Sequence, residues 1–232
     1  MMCSKARPNG LVVAIDGPSG AGKSTITRRL AAMFDYLYID TGAMYRALAL
    51  AVARSGAPLH DDERIVSVCR TSAVAFRREH GQVRVMLNGE DVADLIRTPE
   101  ISLLTSKIAQ KRPIRELLLT LQRELGKNGG VILEGRDIGT VVFPDADIKF
   151  FLSASPEERG KRRYLELMEK GEKVDLTRTI AEVIARDEQD ANRDHAPLRQ
   201  AEDAIAIDST ALSIDEVVGR MASIIRDRLS AA

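Results

Sequence analysis

Gly17-Pro18-Ser19-Gly20-Ala21-Gly22-Lys23-Ser24 lies between the apolar run Leu11-Val12-Val13-Ala14-Ile15-Asp16 and the helix-like stretch Ser24-Thr25-Ile26-Thr27-Arg28-Arg29-Leu30-Ala31-Ala32-Met33-Phe34. It is a full match to the phosphate-loop pattern GxxxxGK[ST], which arises by chance in roughly one chain in a hundred of this length. A strand running into the loop and a helix leaving it are what the mechanism of such a loop requires. Glycines permit backbone torsions that aim successive N–H groups inward, and the helix N-terminus adds its partial positive charge. In that geometry Gly17 to Thr25 cradle a triphosphate, Lys23 bridges the outer phosphates and Ser24 ligates Mg²⁺. The competing reading, a glycine-rich turn that merely caps a helix, leaves the flanking strand and helix unexplained.

Working outward, short apolar runs recur between helical stretches. Leu11 to Asp16, Tyr36 to Asp40, Val131 to Glu134, Asp147 to Leu152 and Ala204 to Asp208 read as strands. Helical patterns lie at Lys23 to Met33, Gly42 to Arg54, Glu100 to Gln110, Ile114 to Leu125, Pro156 to Lys170, Leu176 to Asn192 and Ile214 to Leu229. Such alternation predicts an α/β fold, with a five-stranded parallel sheet flanked by helices. Two segments break it. SAVAFRRE and QVRVMLNG, joined by His80-Gly81, read as a hairpin inside a small antiparallel insert, residues 61–96. Residues 155–175 are dense in charge, with Lys161, Arg162 and Arg163 clustered and Gly171 as a hinge, and read as a short lid. With no repeat or linker to divide it, the chain 1–232 reads as one unit whose core is 11–60, 97–154 and 176–232.

Composition narrows the function classes. The 232 residues carry 34 Lys+Arg against 34 Asp+Glu, so the long-range pull of a nucleic-acid or anionic-membrane binder is absent. Aromatics are 4% with no Trp, which argues against base-stacking platforms for single strands. Cys3 and Cys69 form no ligand pattern, and His60, His80 and His195 are isolated from one another, so no zinc site is expected. After Lys5 and Arg7 the run Leu11 to Ile15 is too brief for a signal core or a membrane span. A reduced, cytoplasmic setting is expected.

The loop alone says only that a nucleoside triphosphate is bound. There is no NKxD guanine-reading motif, and the chain is short for a motor, which leaves small phosphotransferases. A non-catalytic switch that senses ATP also stays open. Asp40-Thr41-Gly42-Ala43-Met44-Tyr45-Arg46 follows the second expected strand, at the carboxyl edge where open α/β sheets bind ligands. Arg46 could fork onto a phosphate there, although an ordinary helix start with Asp40 or Thr41 as N-cap is the commoner meaning of such a stretch. Glu134-Gly135-Arg136-Asp137-Ile138-Gly139-Thr140 emerges at the same edge from a buried strand. Arg186, Asp190 and Arg193, spaced four and three apart, share a helical face, either as exposed ion pairs or facing a cleft. Arg159, Arg162 and Arg163 repel one another unless Glu157, Glu158 and Glu166 or a bound anion compensates.

Taken together, DGPSGAGKST, DTGAMYR, EGRDIGTVVFPDA and ARDEQDANR, in this order and spacing, resemble the bacterial cytidylate kinase family over nearly the whole chain from Val12 to about Leu229. The resemblance implies a P-loop NTPase fold with a monophosphate-binding insert and an arginine-bearing lid. It implies that Arg46, Arg136 and Arg193 hold the acceptor phosphate beside Thr41, and that Arg186 and Asp190 contact the sugar. Asp137, Ser106 and Arg115 match the base-reading positions, and in the arginine-bearing lid Arg159 and Arg163, which share a helical face, are the expected donors. A carboxylate for the N4 amino group and an arginine for N3 and O2 complete the cytosine edge. Uracil presents O4 and N3–H instead, at a cost of roughly 1–3 kcal/mol per mismatch. The implied reaction is ATP + CMP (or dCMP) giving ADP + CDP (or dCDP), with Mg²⁺ accompanying ATP, in a monomer without nucleic-acid or membrane partners. UMP or a metabolite such as shikimate is the alternative acceptor.

Overall fold

The computed structural model describes residues 7–79, 82–169 and 171–231; Cys3 and the His80-Gly81 turn lie outside them. The chain forms β1 (Val12–Asp16), α1 (Lys23–Phe34), β2 (Leu37–Asp40), α2 (Thr41–Ser55), α3 (Asp62–Thr71), β3 (Val74–Glu79), β4 (Gln82–Leu87), β5 (Glu90–Asp91), α4 (Pro99–Ile108) and α5 (Arg112–Gly126). There follow β6 (Val131–Gly135), a π-helical turn (Ile138–Val142), β7 (Ile148–Ser153), α6 (Pro156–Glu169), α7 (Leu176–Ala191), β8 (Ile205–Asp208) and α8 (Ile214–Ser230). All five strands and seven helices expected from the pattern are present. The additions are α3, the two-residue β5 and the π-helical turn.

The parallel sheet has the order β2-β6-β1-β7-β8. β1 is central, pairing Val12 with Val131 on one side and Val13 with Ile148 on the other. Val12, Val13, Ala14 and Ile15 have no exposed surface. This explains why β1 is an unbroken apolar run rather than an alternating one, since both faces of a parallel sheet are covered by helices. The connection leaving β1 runs toward β2 and the one leaving its neighbour β7 runs the opposite way to β8, so the crevice beyond the carboxyl end of β1 is the topological switch point where such folds bind ligands. The phosphate-loop sequence begins there. α1 packs against α8, and α6 against α7. α8 starts with a capping box in which Ser213 and Glu216 satisfy each other's backbone N–H groups.

Two compact units divide the chain: residues up to Tyr38 with those from Gly126 onward, and Ile39–Leu125. In the second, α2 packs against α3, α4 and the antiparallel sheet β3-β4-β5. The expected insert 61–96 falls within this unit. β3 and β4 pair from Val74 opposite Leu87 to Glu79 opposite Gln82. Helix α3 escapes the periodicity because Asp62-Glu63-Arg64-Ile65-Val66-Ser67-Val68 mixes charge with β-branched residues of low helix propensity. Its N-cap Asp61, accepting the Arg64 N–H at 2.9 Å, and two acidic residues in its first turn fix its start. Among the described residues no helix is long and apolar enough to cross a membrane.

Candidate active site

The phosphate loop takes the conformation its glycines allow. Gly22 has φ 91° and precedes the first turn of α1, which has no side-chain cap, so its N–H groups stay available to an anion. Gly17 has φ 151°, and a Cβ there would lie 2.0 Å from the Leu152 carbonyl oxygen, so no side chain fits. Lys23 is 6% exposed, and its Nζ donates to the Pro18 carbonyl at 2.6 Å. Burial and the nearby Arg136 pull Lys23 down to about 7, against the opposing pull of Glu134 and Asp16, and Arg186 lowers it further. A buried lysine crowded by two arginines is built for an anion.

Strand β6 delivers Glu134 to the same edge. Its Oε2 accepts the Ser24 hydroxyl at 3.0 Å, and its Oε1 accepts the Tyr38 hydroxyl in a short hydrogen bond. Neither Glu134 nor Tyr38 carries a sequence motif that marks this pairing. Among the described residues no cluster of three or more His, Cys, Asp or Glu could hold a metal. The donor set nevertheless suits Mg²⁺ brought by a triphosphate, because that ion takes hard oxygen ligands, few of them from protein, and Ser24 offers a hydroxyl already oriented by a carboxylate.

Arg136 follows on the next turn of chain, and its Nε donates to Asp190 Oδ2 at 2.8 Å. Arg193 reaches the other oxygen of the same carboxylate through a short contact. Burial alone would raise the Asp190 carboxyl, but Arg136 and Arg193 outweigh it and hold it below the usual carboxylate range. Arg186, also close enough to act on Asp190, completes the group. Arg193 lies two residues past the end of α7 and returns to Asp190 from the loop, so the three do not share one helical face as the spacing suggested. Asp137 immediately precedes the π-helical turn, and its carbonyl accepts both Val141 and Val142 N–H groups, at 2.9 and 3.1 Å. The sequence-named residues Lys23, Arg136, Arg186, Asp190 and Arg193 are thus electrostatically linked in one cluster.

The two lid arginines differ. Arg159 is 3% exposed, with Nε on the Ala154 carbonyl at 2.8 Å, Nη1 on the Ser19 carbonyl at 3.0 Å and Nη2 on Asp187 at 2.6 Å. It braces the phosphate loop from beneath. Arg163 is more open and pairs with Glu166 at 2.9 Å. Arg162 holds the Ser209 carbonyl at 2.7 Å.

The unit Ile39–Leu125 carries Thr41, Arg46, Ser106 and Arg115. Asp40 caps α2 by accepting the Ala43 N–H at 2.8 Å and binds Arg46 with its other oxygen at 2.8 Å. The helix-start reading of DTGAMYR therefore holds, yet the buried Arg46 Nε has no hydrogen-bond partner. Thr41 is buried at the first position of α2. Ser106 on α4 donates to the Ser102 carbonyl at 3.4 Å. Arg115 on α5 donates to the Ala109 carbonyl at 3.3 Å and lies 5.8 Å from the centre of the Tyr45 ring.

An open parallel sheet with a phosphate loop at its switch point and a partly buried cationic cluster beside it defines a nucleotide-binding phosphotransferase of the phosphate-loop class. A model of the family described as cytidylate kinase matches residues 13–227. The cytidylate kinase of Geobacter sulfurreducens is 61% identical over 225 residues, covering 97% of both chains. That of Citrifermentans bemidjiense is 57% identical, covering 98% of this chain and 97% of its own. The chain belongs to the cytidylate kinase family. A crystal structure of an uncharacterized protein from Eubacterium ventriosum aligns with TM-score 0.52 at 12% identity, covering 93% of this chain and 98% of that one, a likeness of fold alone.

Proposed function

We propose that the protein transfers the terminal phosphoryl group of ATP to the phosphate of CMP or dCMP, giving ADP and CDP or dCDP. The observation that carries this is the partly buried cluster of Arg136, Arg186 and Arg193 around Asp190, electrostatically linked to the buried Lys23 of the phosphate loop, in a chain of this family. Gly17 to Thr25 cradle the triphosphate, all but Pro18 having a backbone N–H to offer. Lys23, drawn off the Pro18 carbonyl, moves onto the outer phosphates. The Ser24 hydroxyl, which Glu134 orients, would hold the Mg²⁺ that accompanies ATP, and the ion would supply charge neutralisation on the phosphates.

Phosphoryl transfer of this kind needs position and positive charge more than covalent chemistry. Arg46, Arg136 and Arg193 neutralise the acceptor phosphate beside Thr41, so two anions can meet in line. That phosphate is already an anion, and no strong general base is needed. Arg186 and Asp190 contact the sugar. Asp137 accepts the cytosine amino group, while Ser106 and Arg115 complete the base edge. Arg163 is the lid donor for the transferred group; Arg159 serves by holding the Ser19 carbonyl and so the loop. The protein works as a cytoplasmic monomer.

The test is ADP formation from Mg·ATP with CMP, dCMP, UMP, AMP, GMP, shikimate or no acceptor. Fast turnover with CMP and dCMP is expected. Turnover with another acceptor only would assign the same phosphate loop to a different kinase, and nucleotide binding with no acceptor-dependent turnover would make the protein a switch.

A further inference from the structure

Asp16 ends β1, directly before Gly17, and is 4% exposed. Both of its carboxylate oxygens are taken by the backbone of a distant segment: Oδ1 accepts the Ile138 N–H at 2.8 Å and Oδ2 the Gly139 N–H at 2.7 Å. These are the two residues that follow Arg136 and Asp137, and they open the π-helical turn. Asp16 also stands opposite Gly135 in the β1–β6 pairing. One side chain therefore ties the first residue of the phosphate loop to the segment that presents the acceptor-binding arginine and the base-reading carboxylate.

We propose that Asp16 is a positioning residue for the acceptor: by holding Ile138 and Gly139 it fixes where Arg136 and Asp137 stand relative to the phosphate loop, and so governs discrimination between CMP and UMP without touching either. This rests on the CMP kinase reading. The clamp is specific to a carboxylate, since only two acceptor oxygens on one short stem can serve two successive N–H groups. An amide would set its NH₂ against one of them. The fit is close on the other side too, for a Cβ on Gly139 would lie 3.4 Å from Asp16 Oδ2 and 3.0 Å from Lys149 Cδ.

The clamp is also open to protons. Burial pushes the Asp16 carboxyl up to about 6, opposed by the Gly139 and Ile138 N–H groups; Asp137 raises it further and Lys23 lowers it. Lys149, from β7, covers Gly139 with its stem and sends its ammonium to the Pro144 carbonyl and to Asp203. Below pH 6 Asp16 gains a proton and one acceptor oxygen becomes a donor, which loosens the hold on the 138–139 backbone.

The experiment compares kcat/KM for CMP and UMP between pH 5 and 8 in the native protein and in D16N. Taking the ratio cancels the ionisation of the acceptor phosphate, which both substrates share. In the native protein the CMP/UMP ratio is expected to fall about tenfold from pH 8 to pH 5, with its midpoint near the value of about 6 that Asp16 carries. In D16N the ratio is low and flat, KM for CMP is about tenfold higher at pH 8, kcat changes less than threefold and ATP affinity is kept within twofold. A pH-independent ratio in the native protein overturns the proposal, and that result needs no variant to fold. So does a D16N protein with native selectivity, or one that loses ATP and CMP binding alike. A native protein that does not phosphorylate CMP at all would instead refute the activity itself.

Discussion

In the sheet-bearing unit three carboxylates each bind two groups, whereas in Ile39–Leu125 Ser106 and Arg115 are met by long hydrogen bonds. Asp190 binds two arginines, Asp16 two backbone N–H groups, and Glu134 two hydroxyls. Ser106 and Arg115, by contrast, rest on main-chain carbonyls at 3.4 and 3.3 Å. Arg46 is the exception, locked to the N-cap Asp40. Substitutions in the first group should therefore damage chemistry or folding outright, because buried charges lose their partners. In the second group they should weaken acceptor binding by modest factors.

The largest break is expected from Lys23→Met, which removes the cation at the outer phosphates and should lower kcat by about 10²–10³ while the fold persists. Steady-state ADP formation measures it. Loss of less than tenfold would place Lys23 outside the reaction. Next is Asp190→Ala, which leaves Arg136 and Arg193 facing each other; a loss of about 3 kcal/mol is expected in urea unfolding, or on the order of 6–12 °C in Tm. Because Asp190 is held below the usual carboxylate range, its contribution is present above that range and is lost only as pH falls through the depressed value. Native and variant stabilities should converge only in strongly acid solution. Arg115→Met should cost about 1 kcal/mol, a roughly fivefold rise in KM for CMP with kcat and stability nearly unchanged. A collapse of kcat would erase the contrast between the units. The smallest effect is protonic. With Lys23 at about 7 in the unliganded protein, much of it is neutral at pH 8, and a bound triphosphate restores its charge. Mg·ATP binding at pH 8 should take up close to one proton, and less at pH 6, as read by calorimetry in buffers of different ionisation enthalpy.

The same contrast explains what the sequence disclosed. Gly17 to Ser24 were legible because a phosphate loop constrains backbone torsion and the flanking elements at once, leaving glycines at fixed positions. Glu134 and Asp16 carried a weaker signal, each a carboxylate closing an apolar strand. Their partners could not be read, since Asp16 meets backbone atoms more than 120 residues away. The π-helical turn has no propensity signature. Arg159 and Arg163 share a helical spacing, yet one is buried under the loop and the other is open, a difference that depends on how α6 packs against α7. Ser106 and Arg115 entered only through family resemblance, for nothing in TSKIAQKRPIR marks them apart from their neighbours.

The most direct test of base reading is kcat/KM for CMP and for UMP, measured side by side in the native protein and in Asp137→Asn. An amide can accept from cytosine and donate to uracil, so the CMP preference should shrink by about 5- to 150-fold while ATP affinity holds. An unchanged preference would contradict the assignment of Asp137 to the cytosine edge, and with it the account of how this protein selects its acceptor.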